Sequence, residues 1–139
     1  MKKLMYGICF LLWLSGNVPA EEANAVHVDV LAKTSSSWDG GRLPDYPKGA
    51  PEITILRIKI PPGVQLSSHK HPVISAGLLL EGELTIITED NKTVHLKAGD
   101  SIIEVVNTWH YGKNEGTKTA EIIVIYAGVA GTPVTIDMP

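Results

Sequence analysis

From residue 53 onward the chain reads as short runs of alternating apolar and polar side chains, cut by turn residues. Residues 53–60 (ITILRIKI) alternate around Arg57 and Lys59 and stop at Pro61-Pro62-Gly63. Residues 73–80 and 83–88 flank Glu81-Gly82 as a hairpin would. Residues 93–97 follow an Asp90-Asn91 turn, 101–106 follow Ala98-Gly99-Asp100, and 120–126 follow Asn114-Glu115-Gly116. Residues 134–136 read as a last short strand. No window of helical period competes, and turns recur about every 8 to 12 residues, the spacing of a β-sandwich or barrel. The pattern predicts an all-β fold.

Before this region the pattern lapses. Residues 34–51 (TSSSWDGGRLPDYPKGAP) are rich in Ser, Gly and Pro and read as an irregular arm. Such an arm either carries Trp38 and Tyr46 to the rim of the β domain or packs on its outside, which is the default for loops. At the N-terminus, Lys2 and Lys3 precede an apolar run over residues 4–14, and Val18-Pro19-Ala20 supplies small residues at cleavage spacing. This is the layout of a secretory signal peptide cleaved after Ala20. The run is 11 residues long, whereas a membrane span needs roughly 17 or more, so no stable membrane anchor is expected. The expected organisation is a signal peptide over 1–20, an N-terminal arm over 21–52 and a β domain over 53–139, with no internal repeats.

Composition fits one ordinary domain: 139 residues, 44% hydrophobic and 19% charged. The only cysteine, Cys9, falls inside the apolar run, so the exported chain must hold together by its core alone. Loss of Lys2 and Lys3 leaves ten basic against fifteen acidic side chains. An acidic chain without a basic run is a poor partner for nucleic acid or anionic membrane. A periplasmic or secreted location follows from the signal.

The candidate chemistry begins with His69 and His71. On a strand, positions i and i+2 share a face, so the pair can offer two imidazole nitrogens to one point. Zn, Fe, Ni, Cu and Mn accept such ligands. Taken alone, a pair of this kind is more often surface or hydrogen-bonded than ligating.

The context changes the weight. Gly63, His69, His71 and Gly82 stand at the spacings G-x5-HxH-x3-E-x6-G, and Gly99, His110 and Asn114 stand at G-x5-PxG-x2-H-x3-N, with sixteen residues between Gly82 and Gly99. In these two ordered motifs the chain resembles the cupin superfamily, specifically its small single-domain members (cupin type-2, conserved barrel), over most of 53–136. The resemblance implies a double-stranded β-helix, a jelly-roll barrel, holding a divalent metal ion on His69, His71 and His110. It also implies a small-molecule ligand or substrate and, as a family expectation, a homodimer. His27 and His95 fall outside the motifs and are expected in solvent. Asn114 is expected to hold a turn, and Trp109 to pack rather than stack on substrate.

The departures from the motifs bear on the chemistry. Ser75 occupies the position of the family's acidic ligand, and Val105 and Asn107 replace the proline and glycine of the second motif. Three neutral imidazoles leave the charge of a bound ion uncompensated and up to three positions open, which favours an anionic chelating substrate such as an enolate. Three-histidine cupins of the diketone- and thiol-dioxygenase kinds are similar in site type. Glu104, amid Ile102, Ile103, Val105 and Val106, is the candidate catalytic residue, since a carboxylate in an apolar run is costly to bury unpaired. Three roles stay open for it: fourth ligand, hydrogen-bond acceptor or base beside the metal, or outward surface residue. An inward Arg57 would suit an anionic substrate. The expected function is an exported metal-binding cupin, with a dioxygenase reaction on a small oxygenated organic substrate as the leading expectation. The alternatives are a non-catalytic binding protein for a sugar or acidic metabolite and a metal-assisted isomerase or lyase. Metal identity among Fe, Mn, Ni, Zn and Cu is left open.

Overall fold

Strands form where the period-two pattern is strongest, and they stack as two antiparallel sheets in the computed structural model, which describes residues 25–139. The signal-peptide reading, on residues 1–20, lies outside the described residues. The strands in order are β1 (Pro51–Ile60), β2 (His69–Lys70), β3 (Ile74–Glu81), β4 (Glu83–Thr88), β5 (Thr93–Lys97), β6 (Ser101–Ile103), β7 (His110–Lys113), β8 (Ala120–Val129) and β9 (Ile136–Asp137). One sheet has the order β1-β8-β3-β6, the other β5-β4-β7-β2-β9. Among the described residues no helix is long and apolar enough to cross a membrane. The all-β jelly roll expected from the sequence is the fold observed.

Alternation places the core between the sheets. On β8, Ile122, Val124 and Tyr126 point inward, while Ile125 points out and is 45% exposed. Leu79, Leu84, Ile86 and Ile102 complete the buried cluster with Ile60.

Two expected features come out differently. The strand foreseen over 101–106 ends at Ile103, because the chain there leaves the ladder: Glu104 N–H donates to the Ser75 carbonyl (3.1 Å), and Val106 forms an isolated parallel bridge with His71. The two short strands β2 and β7 were not separable by periodicity, since two and four residues carry too little pattern to show a period.

The arm packs on the outside. Trp38 N–H donates to the Ile103 carbonyl (2.9 Å), which covers the edge of β6, and the indole rests against the core cluster. Tyr46 reaches no rim and is exposed.

The motif turns depend on backbone angles as the glycines suggest. Gly82, between β3 and β4, has φ +75°, and a Cβ there would stand 2.5 Å from the Thr119 carbonyl oxygen. Asn107, where the motif has glycine, has φ +56°; asparagine is among the few side-chain-bearing residues that adopt this region at low cost. Asn114 holds its turn as expected, donating to the Ile60 and Lys118 carbonyls and accepting from Gly116 N–H. Gly82→Ala is therefore expected to destabilise by about 2–4 kcal/mol, and Asn107→Gly by less than about 1 kcal/mol. Urea denaturation of both variants checks the pair; equal losses would mean that the Thr119 contact does not constrain the turn.

Candidate metal centre

His69 and His110 are paired residues on β2 and β7, so the register of those two short strands puts their rings side by side. His71 follows two residues on, held by its bridge to Val106. Their ring centroids are 4.6–5.0 Å apart, and one ligating atom from each lies within 4.8 Å of the others. All three residues singled out by the motifs thus converge on one point. His71 and His110 are buried and His69 is half-buried.

Each ring is oriented by a main-chain carbonyl. His69 Nδ1–H donates to Ser67 (2.8 Å), His71 Nδ1–H to Val134 (2.9 Å) and His110 Nδ1–H to Thr108 (2.9 Å). A carbonyl only accepts, so each Nδ1 carries the proton and each Nε2 lone pair is free. Burial, reinforced by the neighbouring imidazoles, pulls His71 down to about 4. Burial also lowers His110. At neutral pH both rings are therefore neutral, and protons do not compete for the lone pairs. Three such lone pairs directed at one point suit a divalent cation of borderline softness.

Glu104 lies beside them. It is 5% exposed, so the outward-facing role is excluded. Its Oε2 is 3.8 Å from His110 Nε2, too long for a hydrogen bond, and this buried oxygen has no partner. Burial alone pushes its carboxyl up to about 7. The converging group of ligating atoms comprises the three histidines, with the Glu104 carboxyl beside it. Ser75, across the Glu104 N–H bond, is fully buried with an unpartnered hydroxyl.

The remaining residues sort clearly. Arg57 points outward and pairs with Glu121 (3.0 Å), so it does not serve an anionic substrate. His27 is exposed beside Asp29, and His95 bonds the Thr85 hydroxyl on the outer side of β5. Trp109 packs under Lys70, whose Nζ is 4.7 Å from the ring centroid.

Sequence reasoning missed Tyr126 and Thr135. The Tyr126 ring stands edge-on to His71 at 5.2 Å, and burial, with the Glu104 charge second, pushes its phenol up to about 12. Thr135 Oγ1 lies 3.3 Å from His71 Nδ1. A signal existed for Tyr126: alternation along 120–126 puts it on the inward face with Ile122 and Val124.

The buried carboxyl gives a pH signature in the metal-free protein. Glu104 titrates near 7 folded against an ordinary 4.5. The folded state therefore holds the extra proton between those values, and the stability it confers is lost as pH rises through 7. His71 acts oppositely, its contribution being lost as pH falls from 6.5 towards 4. Comparing wild type with Glu104→Gln isolates the first effect. The difference in unfolding free energy is expected to be flat below pH 4.5, to move in favour of the variant up to pH 7 by as much as about 3 kcal/mol, and then to level off. A pH-independent difference in denaturation midpoints would mean that Glu104 is not desolvated.

Comparison with known proteins agrees with this fold. No curated protein sequence matches the chain, but solved structures do. An uncharacterized conserved protein with a double-stranded beta-helix domain from Klebsiella pneumoniae subsp. pneumoniae MGH 78578 is 20% identical, with 67% of this chain and 88% of that one covered and a TM-score of 0.55. The DMSP lyase DddQ from Ruegeria pomeroyi DSS-3 is 19% identical, with 71% and 47% covered and a TM-score of 0.55. The oxalate decarboxylase of Lactobacillus farciminis is 19% identical, with 62% and 26% covered and a TM-score of 0.55. This chain therefore spans under half of the lyase and about a quarter of the decarboxylase, and the likeness is one of fold. The profile of the cupin domain (Cupin_2) matches residues 56–126, just over half of the chain, and with both motifs and the histidine cluster in place the chain belongs to the cupin family.

Proposed function

We propose that this cupin is an exported, metal-dependent protein that binds a divalent ion on His69, His71 and His110 and acts on a small oxygenated organic substrate, with dioxygenase-type chemistry as the leading reaction. The observation that carries the metal reading is the set of three Nδ1–H bonds to carbonyls, which leaves three Nε2 lone pairs directed at one point. A bound ion would supply Lewis acidity and, if redox-active, a route for electrons. The chain's own residues do the rest. The histidines hold three positions and leave the others to substrate. Glu104, neutral or charged near pH 7, orients the substrate or accepts its proton. Tyr126 and the aliphatic wall keep bulk water from the centre.

Export is proposed from the N-terminal signal pattern. A homodimer is proposed from the outer face of β1 and β8, where Ile53, Ile55 and Ile125 stand exposed and Ile55 pairs with Ile125. A second reading, metal-anchored binding without turnover or a lyase or isomerase reaction, is favoured by that same export, because zinc and copper head the affinity order outside the cytoplasm.

Elemental analysis of the protein from its native compartment tests the centre. One equivalent of metal is expected in wild type and in Ser75→Ala, with at least a tenfold loss in His71→Ala and His110→Ala. Iron, manganese or nickel together with substrate-dependent oxygen uptake would support the oxygenase. Zinc or copper without uptake would support the second reading, and equal loss in all variants would misplace the site.

A further inference from the structure

The cavity behind the histidines is polar at one end only. Its volume is about 50 Å³, room for a few small groups rather than for a sugar ring. Beyond the imidazoles, Glu104 and Tyr126, its wall is aliphatic, with Ile60, Leu84, Ile86, Ile122 and Val124 among its residues, and Gly112 opens a gap in it. Toward solvent the opening is lined by Leu56, Ser67, Thr135 and Asp137. Among the described residues no lysine or arginine lines either part. The cations of the neighbouring strands are turned away: Arg57 and Lys59 pair with Glu121, and Lys70 lies over Trp109.

From this we infer the substrate class: a small monoanion that chelates through oxygens at one end and carries a short, unfunctionalised aliphatic body, rather than a sugar, a phosphate ester or a dicarboxylate. The inference rests on the metal reading, since only a bound ion would neutralise the anionic head. A second anionic group would find no cation inside and an acidic side chain, Asp137, at the mouth. Sugar hydroxyls placed against Ile86, Ile122 and Val124 would lose their hydrogen bonds to water without replacement. An alkyl group gains from the same wall. Gly112 sets the depth. It lies two residues from His110 on the same face of β7, and a Cβ there would stand 3.5 Å from Leu84 Cδ1 and 3.6 Å from Leu66 Cδ1, ordinary contact that the fold accommodates.

A ligand series with a constant head and a varied tail tests this. The protein is loaded with Co(II) without oxygen and titrated with glyoxylate, pyruvate, 2-oxobutanoate and 2-oxoglutarate, followed by the visible Co(II) spectrum and calorimetry. Affinity is expected to rise about three- to fourfold per added carbon from glyoxylate to 2-oxobutanoate, and to fall at least tenfold for 2-oxoglutarate, whose second carboxylate lies on the tail. Gly112→Ala is expected to keep Co(II) affinity while cutting the preference for 2-oxobutanoate over glyoxylate several-fold. Equal affinities across the series, tighter binding of 2-oxoglutarate than of 2-oxobutanoate, or a Co(II)-loaded protein that binds no member would overturn the inference and leave the metal site standing. Failure to take up Co(II) at all would instead overturn the metal reading beneath it.

Discussion

Each of three imidazoles gives its Nδ1 proton to a main-chain carbonyl, and those three bonds fix both the tautomer and the direction of the rings. The carbonyls belong to Ser67, Val134 and Thr108, two of them only two residues before the histidine they orient. Local chain geometry therefore aims His69 and His110, while His71 depends on the C-terminal segment. That segment is tied down in turn by the pairing of β9 with β2 and by Met138 N–H on the Ser68 carbonyl. Rings aimed this way turn three nitrogen lone pairs toward one point, where a cation would find its ligands ready. Protonation competes poorly, because burial and the neighbouring rings hold His71 near 4.

Charge balance is the second constraint. With Ser75 where the family's acidic ligand would stand, the centre has three neutral donors, and the carboxyl beside them is Glu104, 3.8 Å from His110 Nε2. The Glu104 N–H to Ser75 carbonyl bond sets these two residues against each other. Its unpartnered buried oxygen leaves the glutamate with a driving force to find a donor.

Much of this was legible in the sequence, and what was not has physical reasons. The long strands β1, β3, β4 and β8 carry enough alternation to declare themselves, and the two motifs located all three histidines because glycine and histidine at fixed spacing reflect turn geometry and donor chemistry. The short β2 and β7, which carry the ligands, have too few residues for a period to show. Glu104 was recognisable as costly in an apolar run, but its direction was not, since the ladder breaks after Ile103. Tyr126 was missed because an aromatic on an inward face reads as core; only its edge contact with His71 distinguishes it. Thr135 could not be found at all, for its contact with His71 spans 64 residues of chain.

The site also joins the two layers of the barrel. His69 and His110 belong to the β5-β4-β7-β2-β9 sheet, whereas Tyr126 lies on β8 and Glu104 follows β6 in the other. Most of the core between the layers is aliphatic, which gives cohesion without direction. An ion on the histidines would bind the folded state alone, since residues 69 and 110 meet only when β2 and β7 are paired. Its binding free energy would add to folding stability by mass action. In a chain whose one cysteine precedes the described residues, this linkage would do for the barrel what disulfides do in disulfide-bonded domains, and would couple metal occupancy to structural integrity.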